Sequence, residues 1–101
     1  MMELTQNYDI GVIARIERDR TFADALLEEA AGTLADQEYD VTQEILRVLV
    51  LGTVGYELLA RSLSMTSEKL REILEAAAPP LPAQLSAITR ALQHALDVTA
   101  S

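Results

Sequence analysis

The spacing of apolar residues between Tyr56 and Glu75 constrains this chain more than any other feature of its sequence. Counted from Tyr56, apolar side chains recur at offsets of 3, 7, 9, 14 and 17, with the small residue Ala60 among them. Such a pattern fits two short helices that approach closely at Ala60 and are separated by a turn at Ser64. Thr66 stands where its side-chain oxygen can cap the second helix. The stretch therefore predicts a helix-turn-helix, whose second helix is the one presented to a DNA major groove.

Helical periodicity also describes the rest of the chain. No alternation with period two lasts for the length of a strand, so we predict an all-α fold of about six helices in one domain. Acidic amino-terminal helices are expected over about residues 8–35. The predicted inward residues are Ile10, Ile13 and Ala14, with Val12 and Ile16 beside them, then Phe22, Leu26, Ala30 and Leu34, then Ile45, Leu46, Leu49 and Val50, and finally Leu85, Ile88, Leu92, Ala95 and Leu96.

Several helix ends are predicted from residues with capping side chains or special backbones. Thr21 and Asp40 are expected to cap the second and third helices, and Thr53 is expected to cap the fourth. Gly52 is expected to end the third helix in the left-handed conformation. Pro82 suits the first position of the sixth helix, where its missing N–H has no cost.

Composition excludes several classes of protein. With 101 residues, half of them apolar, the chain is long enough for one core and has no cysteine for disulfides or thiolate sites, which fits a reducing cytoplasm. Its most apolar run, residues 45–59, is interrupted by Arg47 and Glu57 and is shorter than the about 18 apolar residues that a membrane span needs. We therefore expect a cytoplasmic protein that does not enter membranes and carries no export signal.

The net charge of −8 opposes simple nucleic-acid binding, because Lys and Arg side chains supply most of the sequence-independent affinity for phosphates. The charge is unevenly distributed, however. Residues 1–41 contain ten acids and three bases, whereas residues 42–101 contain six acids and five bases. The acidity thus belongs to the amino-terminal helices, and the half with the helix-turn-helix is nearly neutral.

Three stretches carry a family resemblance: RIERDRTFADALLEEA, EILRVLVLGTVGYELLARS and SEKLREIL. In them the chain resembles the bacterial helix-turn-helix family of transcriptional regulators and addiction-module antidote proteins, over roughly residues 8–96. The resemblance implies a lambda-repressor-like helical domain with additional amino-terminal helices. It also implies binding to double-stranded DNA, often as a homodimer on a two-fold operator, and sometimes a toxin as partner.

Within the second helix of the motif, Thr66, Ser67, Lys69 and Arg71 are the predicted DNA-binding residues. Lys69 and Arg71 are suited to phosphate or guanine, and Thr66 and Ser67 can donate from the start of the helix. The chain departs from the family at Glu68 and Glu72, where the family usually has positive charge, and in the loop after the motif, which reads Ala-Pro-Pro in place of Gly-Asn-Pro. These departures support an alternative: a helix-turn-helix fold that has lost DNA affinity and acts as a protein-interaction module.

Other candidate sites are weaker. The acidic side chains of Glu17, Asp24, Glu28 and Glu29 suit either solvent or a basic protein partner such as a toxin. His94 is the only histidine, and without a second imidazole or a thiolate it is a poor metal ligand. No glycine-rich phosphate loop or nucleophile elbow occurs in the sequence. We therefore predict a protein that is not an enzyme and that uses no cofactor or metal.

Overall fold

The structure is a computed structural model. It describes the backbone of residues 2–100 and the side chains of residues 10–97. Six helices follow one another, and residues 2–100 contain no β-strand. They are α1 (Met2–Arg18), α2 (Arg20–Ala35), α3 (Tyr39–Gly52), α4 (Gly55–Ser62), α5 (Ser67–Glu75) and α6 (Pro82–Ala100). The predicted all-α class and the number of helices are confirmed.

α3 lies at the centre of the fold and packs against each of the other five helices. Its side chains at Leu46, Leu49 and Val50 are completely buried. A helix that is apolar on most of its sides is stable only when other helices surround it. Each fully buried leucine contributes about 1.5–3 kcal/mol through the area removed from water. The apolar run in α3 thus explains why the other helices assemble around it.

Gly52 serves close packing and does not end α3 in the way predicted. It is the last residue of α3, and the glycine with positive φ is Gly55, at 82°. A Cβ atom on Gly52 would lie 2.7 Å from Cγ2 of Ile16 and 3.2 Å from the carbonyl oxygen of Ile13. The prediction was wrong because sequence periodicity does not show that α1 crosses α3 at this point. Only glycine lets the two helices approach so closely.

The buried stripe of α1 is shifted from the predicted one. Ile10, expected to face inward, is 66% exposed, whereas Ile16, expected at the edge, is 3% exposed and packs at Gly52. α1 contacts the rest of the fold mainly through α3 and, to a smaller extent, α2. The contact with α3 near its carboxyl end therefore decides which residues of α1 are buried.

In α2, as in α1, the buried stripe lies beside the predicted one. Its buried residues are Ala23, Leu27 and Ala30, while Phe22, Leu26 and Leu34 are half-buried at the edge of the core. Small alanines allow α2 to lie close to α3, and the Arg15 guanidinium covers Phe22 at 4.0 Å from the ring centroid. The larger side chains are thereby placed beside the contact. The predicted stripe was right at Ala30 and displaced elsewhere.

The cap of α2 is Asp19 and not Thr21. The Asp19 carboxylate accepts a hydrogen bond from the Phe22 amide at 3.1 Å, and its extended backbone separates α1 from α2. Arg20 is already helical and pairs with Asp24 at 3.0 Å. Aspartate and threonine can both cap a helix, and the residue nearer the end of α1 is the one that does so here.

The predicted caps of α3 and α4 are wrong as well. α3 begins after Glu38 without a side-chain cap, and Asp40 lies inside its first turn. The Thr53 hydroxyl donates back to the Leu49 carbonyl, and α4 begins after Val54 without a side-chain cap. A threonine hydroxyl can donate to the preceding turn or cap the following helix, and here the preceding turn is satisfied.

α6 begins at Pro82, as predicted. Gln84 accepts a hydrogen bond from the Leu81 amide at 3.2 Å, which is one half of a capping box. The connection from α5 to α6 contains Pro79 and Pro80, which favour extended backbone. The predicted inward residues Leu85, Ile88, Leu92 and Leu96 are buried, and Ala95 is half-buried.

Replacing Gly52 with alanine tests the close crossing of α1 and α3. The added methyl group would meet Ile16 near its backbone, so we expect a loss of about 1–3 kcal/mol in the free energy of unfolding. Gly32→Ala is the matched control, because a Cβ atom there meets open space and should stabilise α2 by about 0.5–1 kcal/mol. Urea unfolding of both variants measures these changes. Stabilisation by both would contradict the proposed packing.

Candidate nucleic-acid interface

α4 and α5 form two separate helices joined by a tight turn, at the positions that the spacing predicted. Ala60 is 1% exposed, and its carbonyl accepts the Met65 amide at 3.0 Å. Ser64 has a positive φ of 58°, a conformation that turns the chain at a position where such motifs often have glycine. The chain therefore does not continue as one rod. α5 packs against α4, with Leu70 and Ile73 buried beneath it.

The start of α5 is capped as predicted. The Thr66 hydroxyl oxygen accepts a hydrogen bond from the Lys69 amide at 3.1 Å, and the Thr66 backbone is extended. One of the amides without a partner inside the helix is thereby satisfied, which is worth about 1 kcal/mol. The cap defines where α5 begins and fixes the directions of the side chains in its first turn.

The end of α5 is held by Gln43 of α3. Its side-chain amide donates to the Ile73 carbonyl at 2.9 Å and to the Ala76 carbonyl at 3.2 Å. Gln43 is 7% exposed, so these bonds lie inside the protein. This role could not be predicted from local spacing, because Gln43 lies 30 and 33 residues from its two partners. The central helix thus sets the position of α5 through hydrogen bonds in addition to apolar packing.

A polar cluster joins α4 to the outer side of α5. The Tyr56 side chain is 7% exposed, and its hydroxyl donates to the Glu75 carboxylate at 3.0 Å. The Arg71 guanidinium lies 5.4 Å from the centroid of the Tyr56 ring. Burial first, and then the hydrogen bond to Glu75, raises the pKa of the Tyr56 phenol. The cluster holds Arg71 against the protein surface.

The four predicted DNA-binding residues lie on one continuous segment. Thr66, Lys69 and Arg71 are exposed, and Ser67 is half-buried. Lys69 projects from the first turn of α5, next to the cap. Thr66 and Lys69 are therefore available to a ligand as they stand, whereas Arg71 would have to leave the Tyr56 ring to reach one.

Acidic side chains share this surface. Glu68, Glu72 and Glu75 are exposed on α5. Neither Glu68 nor Glu72 forms an ion pair with Lys69 or Arg71 in the described part of the chain. The outer face of α5 therefore presents separate charges of both signs.

Sequence reasoning missed a further cation beside this surface. Arg61, in the last turn of α4, is 74% exposed and lies 3.9 Å from Glu57. Its position one residue after the buried Ala60 could have identified it as outward-facing. The helix-turn-helix thus contains Arg61 as well as Lys69 and Arg71.

The other predicted surface residues are exposed. Glu17, Glu28 and Glu29 face solvent, Asp24 pairs with Arg20, and His94 is exposed on α6. Among the side chains of residues 10–97, no group of three acids or histidines is placed to hold a metal ion. No helix in the described part of the chain is long and apolar enough to cross a membrane.

Comparisons with known proteins add no family assignment. No protein-family model matches the chain, and no significant match was found among curated proteins or solved structures. The bacterial regulator family therefore remains an expectation from the sequence.

The pH dependence of the stability of a Tyr56→Phe variant tests the polar cluster. The variant loses a hydrogen bond, so we expect it to be about 1 kcal/mol less stable than the wild type at pH 7. The folded-state pKa of Tyr56 lies above the unfolded value, so the wild type keeps this contribution below about pH 10 and loses it as the pH rises further. Urea unfolding from pH 7 to 11 should show the two stabilities converging. A constant difference would contradict this role.

Proposed function

We propose that the protein is a double-stranded-DNA-binding regulator that places α5 in the major groove. The observation that carries this proposal is the geometry of the turn: Ala60 is buried, Ser64 reverses the chain, and α5 keeps an exposed outer face. An α-helix held in this way can enter the major groove, where base edges are distinguishable.

The exposed residues suggest a division of roles on the DNA. Lys69 is placed to contact phosphate, together with Arg61 from α4. Thr66 and Ser67 lie at the amino end of α5, where the helix dipole favours a phosphate oxygen. Arg71 can reach a guanine edge after leaving the Tyr56 ring.

The small number of cations in the motif predicts weak DNA binding, with an affinity that falls only moderately as the salt concentration rises. Three cations in the motif, Arg61, Lys69 and Arg71, can neutralise about three phosphates, which corresponds to a slope of about −3 in the logarithm of affinity against the logarithm of salt concentration. Nearby acids reduce the affinity further. Two copies on a two-fold operator would double the number of phosphate contacts, and this supports a homodimer as the binding form.

Lys69→Ala tests the proposal directly. If Lys69 contacts a phosphate, the variant should bind operator-sized DNA more weakly, with a salt slope smaller by about 1. Arg18→Ala is the matched control: it removes the same charge from an exposed position on α1, a helix that packs against α2 and α3. Fluorescence anisotropy over a series of salt concentrations measures both. Equal effects of the two variants would contradict specific contact by α5.

The second candidate function is a protein-interaction module. The observation in its favour is the exposed row of Glu68, Glu72 and Glu75 along α5, which would repel phosphates and attract a basic protein such as a toxin. In this proposal the helix-turn-helix has kept its geometry and lost its affinity for DNA.

Reversing Glu68 and Glu72 to lysine separates the two candidates. If acids alone prevent DNA binding, the wild type should not bind, and the double variant should bind with a salt slope of about −4 to −5, from its two new cations together with Arg61, Lys69 and Arg71. The matched control is Glu28→Lys with Glu29→Lys, which makes the same change of charge on α2. No gain in the α5 variant, or an equal gain in the control, would rule out the second candidate.

A further inference from the structure

The outer face of α4 combines an exposed leucine with an apolar groove. Leu58 is 56% exposed, whereas the next two residues, Leu59 and Ala60, face the core and are each 1% exposed. Beside Leu58, a groove of about 400 Å³ runs between α4 and α6, and its walls include Val54 and Ala95. Val54 and Leu58 are four residues apart and form one apolar ridge along the helix.

Two opposite charges flank this ridge on one side. Glu57 and Arg61 are one turn apart on α4, with side chains 84% and 74% exposed, and their closest charged atoms are 3.9 Å apart. Such an exposed pair contributes little to stability, about 0–1 kcal/mol. Both side chains are therefore available to other partners at small cost.

The order of these residues makes the face complementary to itself. When two copies of a helix pack antiparallel about a two-fold axis, residue i of one copy meets residue j of the other, and residue j meets residue i. If the axis passes near Leu58, Glu57 of each copy lies opposite Arg61 of the other on the same side of the contact. The two leucines then lie at its centre.

We propose that this face binds a second copy of the chain. The two α4 helices cross antiparallel, Leu58 of each copy enters the groove between α4 and α6 of the other, and two ion pairs between Glu57 and Arg61 flank the leucines. The α4 face would thus be the interface of the proposed homodimer. This inference rests on the proposed function for the presence of two copies, but it requires no contact with DNA.

A second copy suits this face better than an unrelated partner because a single short segment supplies the ridge, the groove wall and both signs of charge. The apolar part is small in comparison with the about 800 Å² that each partner buries in a standard complex. We therefore expect association in the micromolar range or weaker.

Sedimentation equilibrium of the full chain without DNA, from about 10 μM to 1 mM, tests the contact. The wild type should show a monomer–dimer equilibrium, and Leu58→Asp should weaken it about tenfold or more. Leu81→Asp is the matched control, because Leu81 is 68% exposed in the connection before α6, and it should dimerise like the wild type. Circular dichroism melts show whether both variants fold.

A mixing experiment tests the antiparallel pairing itself. In the Glu57→Arg variant each chain has two bases beside the ridge, and in the Arg61→Glu variant each chain has two acids. Because like charges then face each other, either variant alone should dimerise about tenfold more weakly than the wild type. An equimolar mixture should regain wild-type association, because every cross-contact then joins an acid to a base. Loss of helix stability in the single variants would not be repaired by mixing.

Three results would overturn the proposal: a monomeric wild type at 1 mM, equal dimerisation of the Leu58→Asp variant and the wild type, or a mixture that associates no better than its components. Because DNA is left out, failure here leaves DNA binding by a single copy unaffected. Likewise, loss of the DNA proposal would leave a measured dimer in place.

Discussion

The burial of α3 on most of its sides is the constraint on which the rest of the structure depends. Its buried leucines and valines leave water only if the other helices cover them, and two of the covering helices are positioned by specific residues of α3. Gly52 determines how closely α1 approaches. Gln43 determines where α5 ends, since two carbonyls at that end accept its amide. The outward surface of α5 is thus positioned by the residues that form the core.

In α4 and α5 the residues that stabilise the fold lie on one side of each helix, and the residues available to partners lie on the other. Tyr56, Leu59 and Ala60 of α4 are buried together with Leu70, Ile73 and Leu74 of α5, while charged residues occupy the outer sides of both helices. Tyr56 is the exception that connects the two sides, because its ring is buried and its hydroxyl meets Glu75. The proposed DNA contact is made mainly by α5 and the proposed contact between copies by α4, and Arg61 of α4 is the one residue that both proposals use.

Sequence periodicity predicted the helices and the turn because both depend on local spacing. The buried side of a short helix such as α5 can be read from a few apolar residues, and Thr66 caps it through a partner three residues away. The predictions were wrong where a contact between residues distant in the sequence decides which side chains are buried or bonded. Ile10 and Ile16 exchange roles because α1 crosses α3 near its end, and Gly52 is selected by Ile16. Gln43 donates to carbonyls 30 and 33 residues away, and Arg71 lies against the Tyr56 ring, which only the fold brings near it. Local spacing contains no information about these pairs.

The prolines between α5 and α6 act on the unfolded chain as much as on the folded one. Each proline fixes one backbone angle of its own residue and restricts the residue before it. The segment from Ala78 to Pro82, with three prolines among five residues, therefore has few conformations to lose when the protein folds. A linker of the same length made of glycine and serine would let α5 adopt many orientations whenever its packing loosened. The stiff proline-rich linker restricts these orientations before any contact has formed.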